Sequence, residues 1–132
     1  MFDKYLIVAG SAHDVVEDGA VVGFAFSVRI GYYRGLGISM VEPFDVVVDG
    51  EATDPATHRF TVSGRTFDYA GMATRPDVVW EMRDDAVITV LRPGGLGPGE
   101  HELELTEHLR VSYLPFVAAH HDRKTIRIDP AA

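Results

Sequence analysis

At 132 residues, 46% of them hydrophobic, the chain has material for one packed core and too little length for a barrel with an inserted second domain. A formal charge of -8 works against binding a phosphate backbone, so no nucleic acid is expected as a partner, and the acidity reads as solubility. With no cysteine there is no disulfide framework, thiol nucleophile or cysteine-based zinc site, which agrees with a cytoplasmic address.

The N-terminus sets Asp3 ahead of any apolar run and has no basic region, so no signal peptide is expected. Apolar runs such as Leu6 to Ala9 and Val46 to Val48 fall far below membrane-spanning length, so no membrane partner is expected. Turn residues recur roughly every 8–12 positions, the spacing of a β-sandwich. From Val22 to Tyr32 the even positions are Val22, Phe24, Phe26, Val28, Ile30 and Tyr32, and the odd ones are small or polar. That period of two predicts a long strand with one buried face.

Phe44, Val46 and Val48 alternate with polar residues and run into Asp49-Gly50, a hairpin signal that His58 to Ser63 is expected to continue. Ser63-Gly64-Arg65 predicts a further turn, and Pro55 to Arg59 one short helical turn. Val78-Trp80-Met82 and Ala86 to Leu91 predict shorter strands. Leu91 to Glu100 (LRPGGLGPGE) is a Gly/Pro connection. It leads into a strand on which Leu103, Leu105, Leu109, Val111 and Tyr113 face inward. Glu107 breaks that inward row, and marks a bulge, a sheet edge or a partner contact. Pro43 and Pro115 predict edges or interruptions, and Arg123 to Pro130 a final strand. No window of eleven or more residues shows a 3.6 period. The expected fold is all-β: one antiparallel β-sandwich over residues 1–132, with roughly seven to nine strands.

The search for chemistry returns no self-contained set. LRPGGLGPGE lacks a Gly-Lys-Ser/Thr ending and joins two strands, so no helix N-terminus is there to hold a phosphate. His120 and His121 are neighbours on an extended chain and point to opposite faces, and His101 and His108, seven apart, do the same. Neither pair has the convergence a metal needs. The serines lack a strand-turn-helix elbow, and the paired carboxylates Asp84-Asp85 and Glu102/Glu104 fit a solvated turn and an exposed strand face. Trp80 alternates with Val78 and Met82 and reads as core. No catalytic residue and no metal ligand is assigned.

The segment Gly31-Tyr32-Tyr33-Arg34-Gly35-Leu36-Gly37 stands out, because a strongly patterned strand ends there in two tyrosines, an arginine and spaced glycines. A bulge or wide turn with packed tyrosines accounts for it structurally. Tyr and Arg are also enriched at interface hot spots, and Gly lets a backbone approach another surface. Tyr32, Tyr33, Arg34 and Gly35 are therefore candidate partner- or substrate-facing residues. Tyr113, Leu114, Pro115 and Phe116 join them as apolar residues where a strand should end.

These two segments also carry a family resemblance. Met1 to Tyr5, GFAFSVRIGYYRG from Gly23 to Gly35, the Asp49-Gly50-Glu51 turn, RPGGLGPGEH from Arg92 to His101 and RVSYLPF from Arg110 to Phe116 resemble the β (small) subunit of bacterial C-glycoside deglycosidases. Together they span nearly the whole chain. The resemblance implies a β-sandwich subunit in a higher-order heteromer with a larger TIM-barrel α subunit, which supplies the general base and a divalent metal, typically manganese. No cofactor is implied in this chain. The implied substrate is a 3-oxo-C-glycoside bound at or near the interface, cleaved at its carbon–carbon glycosidic bond by β-elimination. The competing expectation is a stand-alone carbohydrate-binding module using Tyr32, Tyr33 or Trp80 as a stacking platform.

Overall fold

The computed structural model describes residues 6–30, 35–81, 84–110 and 117–129. Among them are eleven strands: β1 (His13–Glu17), β2 (Ala20–Val28), β3 (Leu36–Gly37), β4 (Val41–Val48), β5 (Glu51–Ala52), β6 (His58–Val62), β7 (Arg65–Phe67), β8 (Val79–Trp80), β9 (Ala86–Leu91), β10 (Gly99–Arg110) and β11 (Val117–Ile128). The first sheet has the order β1-β2-β9-β6-β7 and the second β11-β10-β4-β5, while β3 and β8 form a separate ribbon. Every strand pairing is antiparallel. The two large sheets face each other across one apolar core, which is the sandwich the sequence predicts.

Alternation explains which face goes inside. Phe24, Phe26 and Val28 of β2 meet Ile88 and Val90 of β9 in the core, opposite Phe44, Val46 and Val48 of β4 and Leu103, Leu105 and Leu109 of β10. Three of the hairpins close through two residues at positive φ: Asp18-Gly19 (51° and 78°), Asp49-Gly50 (51° and 82°) and Ser63-Gly64 (53° and 75°). This backbone matches the twist of the flanking strands.

Several expectations are corrected. β2 ends at Val28 and not at Tyr32; Ile30 is still buried, but beyond the strand. The odd side of β2 is also covered in part, since Ala25 is buried. The hairpin after Asp49-Gly50 returns only along β5, and a 3-10 turn at Pro55–Thr57 then carries the chain to the first sheet, where β6 pairs with β9 and β7. The expected strand Val78-Trp80-Met82 reduces to β8 among the described residues. The last strand begins at Val117, ahead of Arg123, so His120-His121-Asp122 lies on it. The sequence reading has no counterpart for β1 or for α1 (Tyr69–Ala73), a five-residue helix capped by Asp68, whose carboxylate accepts from Gly71 N at 2.7 Å.

Glu107 does mark a bulge. The β4–β10 register shifts between Thr106 and His108, which pair with Asp45 and Glu42, so Pro43 and Phe44 together oppose Glu107. Pro43 is tolerated there because β5 is too short to pair with that end of β4.

Candidate functional site

Of the sequence-predicted contact residues, Tyr32, Tyr33, Arg34, Tyr113, Leu114, Pro115 and Phe116 lie outside the described residues. Gly35 is described, and its neighbour is the chain itself. A Cβ there would stand 2.9 Å from Oε2 of Glu81 and 3.1 Å from the Trp80 carbonyl, so this glycine permits close approach of its own segment to Trp80-Glu81. Trp80 is fully buried, edge-on to Phe60 at 5.2 Å, with its indole N–H donated to the Asp84 carbonyl at 2.9 Å. It is core, and offers no face to a sugar ring.

Three polar side chains are buried among the described residues: His58, Glu107 and Asp122. His58 heads a chain of hydrogen bonds whose direction follows from its ends. The Thr53 hydroxyl donates to the Val46 carbonyl at 2.8 Å and so accepts from Nε2 of His58 at 2.7 Å. Nδ1 then accepts from the Tyr69 hydroxyl at 2.9 Å, whose oxygen accepts from Phe44 N at 3.1 Å. The ring is thus the neutral Nε2–H tautomer. Burial pushes the His58 pKa down to about 4, and that of the Tyr69 phenol up to about 12. This chain ties β4, β6 and α1 together beneath an open cleft of about 360 Å³ lined by Pro43, Pro55, Ala56, Asp68, Tyr69 and Ala70.

Asp122 points inward from β11. Its Oδ2 accepts from Ile7 N at 2.9 Å, with the Lys124 ammonium 3.5 Å away, and its Oδ1 accepts from Arg123 N at 2.8 Å. Ile7 bridges to Val28 beside β2, so one carboxylate fastens the N-terminal segment of the first sheet to the second. This carboxylate closes the side of the sandwich between β1 and β11.

His101 is held differently. Nδ1 faces the Asp49 carboxylate at 2.7 Å and Nε2 faces the Gly97 carbonyl at 2.9 Å. Both partners only accept, so the imidazolium satisfies both contacts. The hydrogen bond to Asp49 raises the His101 pKa, and the same bond lowers that of Asp49. Asp14 holds the loop from the other side, accepting from Leu96 N at 2.9 Å and Gly97 N at 3.1 Å. The Gly/Pro connection is therefore fixed between two strands and an aspartate, as a structural turn.

The other histidines of the strands stand apart. His121 faces Glu104 at 3.1 Å on the outside of the second sheet, and His108 faces Asp45 at 2.9 Å. Among the described residues no three His, Asp or Glu side chains converge in a way that could hold a metal ion. Each of these polar contacts fastens one part of the chain to another.

The fold and these fastenings define an all-β sandwich domain. Residues 2–113 match the family model described as C-glycoside deglycosidase beta subunit. The chain belongs to that family. It is 41% identical over 105 residues to the 3'-dehydrocarminate deglycosidase beta subunit of a Microbacterium species, covering 76% of this chain and 78% of that one. It is 32% identical over 98 residues to the C-glycoside deglycosidase beta subunit of Eubacterium cellulosolvens, covering 74% and 67%. With a beta subunit of the same description from Arthrobacter globiformis it shares 28% identity over 128 residues, 89% of this chain and 96% of the relative. Among the described residues no helix is long and apolar enough to cross a membrane.

Proposed function

We propose that this chain is the small subunit of a heteromeric carbon–carbon lyase that removes the sugar from 3-oxo-C-glycosides by β-elimination. The family match over residues 2–113 carries the reading. The name of the Microbacterium relative, a 3'-dehydrocarminate deglycosidase beta subunit, agrees with a sugar already oxidised at its 3' position. A ketone at C3 acidifies the proton on C2. A general base removes that proton, and the electron pair then expels the aglycone carbon from C1, leaving an unsaturated keto-sugar. The carbon leaving group takes up a proton, which a phenol-bearing ring accommodates.

The base belongs to the larger, TIM-barrel subunit, together with a divalent metal, manganese by expectation, that supplies charge stabilisation for the enolate. This chain contributes assembly, and a wall beside the mouth of its partner's active site. Tyr32, Tyr33, Arg34 and Gly35 and the run from Tyr113 to Phe116 are its candidate contacts there. The complex works in the cytoplasm, which suits a cysteine-free chain.

The test is reconstitution. The chain and its larger subunit, co-expressed and purified together, should convert a 3-oxo-C-glycoside to free aglycone and unsaturated keto-sugar, while the small subunit alone gives no product. Separate elution of the two chains at micromolar concentration, or turnover by this chain alone, overturns the reading.

A further inference from the structure

The outer faces of the two sheets differ in chemistry. On the second sheet the outward row of β10 is Glu100, Glu102, Glu104, Thr106, His108 and Arg110, and its neighbours answer with ion-pair and hydrogen-bond partners. His121 faces Glu104, Arg123 lies 3.4 Å from Glu102, His108 faces Asp45, and Arg110 lies 3.6 Å from Glu42. That face is a lattice of paired, solvated charged and polar side chains.

On the first sheet the outward rows are Val15-Gly23-Leu91, then His13-Ala25-Thr89-Arg59, then Ser27-Val87-Thr61-Thr66. Nine of these eleven positions carry no ionisable group, against one of six in the outward row of β10. The two exceptions stand at opposite ends of the middle row, and the Arg59 guanidinium is turned back onto the Ala56 and His58 carbonyls at 3.0 and 2.8 Å. Thr61 and Thr66 bond to each other at 2.8 Å. Leu91 is 40% exposed there, and the Arg29–Asp85 pair borders the face. Gly23 lets β2 and β9 pair closely: a Cβ at that position would strike the Val90 carbonyl. A charge-depleted centre within a polar rim is the anatomy of a protein–protein interface.

The edges of the sandwich, by contrast, are blunted against strand addition. β7 has three residues and β5 two, β1 carries a bulge between Val15 and Val16, and β11 turns Asp122 and Lys124 inward. A partner that docks on this sheet therefore uses its face and not its edge. The five strands, about 4.8 Å apart and averaging about six residues in length, present roughly 500 Å² of surface. The bordering side chains His13, Arg29, Arg59 and Asp85 extend it toward the ~800 Å² that a stable interface takes from one partner.

We propose that the outer face of the first sheet, centred on Val87, Thr89 and Thr61, is the seat of the larger subunit, which meets it with a flat patch equally poor in charge. The proposal rests on the heteromeric-subunit reading above. The test sets Val87→Lys and Thr61→Lys against Thr106→Lys on the opposite face. For each, affinity for the purified larger subunit is measured beside the melting temperature of the small subunit. Tenfold or greater loss of affinity in Val87→Lys and Thr61→Lys, with melting temperatures near the parent and Thr106→Lys unaffected, is the expected result.

If the folded Val87→Lys and Thr61→Lys chains bind within twofold of the parent, or Thr106→Lys loses as much, this face is not the seat. Should both lysine variants unfold, Thr66→Glu, at the exposed end of the same row, is the charged probe: a tenfold or greater loss of affinity supports the proposal, and binding within twofold of the parent overturns it. A parent chain that self-associates through this face, with Val87→Lys restoring the monomer, assigns the face to a second copy and overturns the proposal. Failure of the parent chain to bind the larger subunit at all strikes the subunit reading instead, a distinct result.

Discussion

The hydroxyl of Tyr69 lies 2.9 Å from Nδ1 of His58, and it can donate there only while that nitrogen is unprotonated. The folded pKa of His58, about 4, lies below its ordinary value of 6.5, so the fold favours the neutral ring. The contribution to stability is complete above pH 6.5 and is lost as pH falls from there through 4. The gap corresponds to about 3 kcal/mol at most. Imidazole resonances of His58 should titrate near pH 4 in the folded chain, and a midpoint near 6.5 would show that the buried chain is open in solution.

Tyr69→Phe tests the same network without changing pH. The variant keeps the ring but strands Phe44 N and Nδ1 of His58, two buried groups that the hydroxyl satisfies together. A loss of ~2 kcal/mol in denaturant unfolding is expected. An unchanged midpoint would mean that water takes the place of the hydroxyl.

His101 should behave in the opposite sense to His58. Its pKa is raised by the Asp49 hydrogen bond, so its stabilisation is complete below pH 6.5 and is lost as pH rises through the elevated folded value. The carbonyl-carbon chemical shift of Gly97 should follow the same midpoint, because the Gly97 carbonyl accepts from Nε2. His101→Ala should abolish that titration. A midpoint at or below 6.5 would contradict the imidazolium assignment.

Phe26→Ala probes the register of β2. Phe26 is fully buried and opposes Ile88 of β9, so truncation removes transfer free energy and leaves a cavity. A cost of ~3–5 kcal/mol is expected. A loss below about 1 kcal/mol, far under that range, would place the side chain outside the core.

What the sequence made legible follows its local grammar. Asp49-Gly50 and Ser63-Gly64 announce their hairpins, and the alternation in β2 and β10 identifies the buried rows. Where the grammar is broken, the reading missed. Adjacent Val15 and Val16 hide β1, because its bulge defeats a strict period of two. The first half of β11 is hidden because its inward row is Ala118, His120, Asp122 and Lys124, which looks solvated in sequence. Pro55–Thr57 redirects the chain from one sheet to the other, and nothing in the residues before it announces a change of sheet. The charge-poor face of the first sheet was invisible for a related reason: its rows combine β1, β2, β9, β6 and β7, and only the pairing order brings them together.

Asp122 is the sharpest case of long-range information, since its acceptor role joins it to Ile7, 115 residues earlier. A carboxylate on a strand beside two histidines suggests a ligand or a surface charge, but in the fold it is 5% exposed and satisfied on both oxygens. Asp122→Ala should strand Ile7 N and withdraw an anion 3.5 Å from the Lys124 ammonium, at a cost of ~2–3 kcal/mol. Asp122→Asn retains one acceptor oxygen and should cost less. Amide exchange localises the effect: protection at Ile7 and Val8 should fall in Asp122→Ala before protection at Phe24 or Ile88, because the clasp holds the outermost strand and not the centre of the sheet. Uniform loss of protection across both sheets would instead make Asp122 part of the core's own stability, and the side of the sandwich between β1 and β11 would need a different closure.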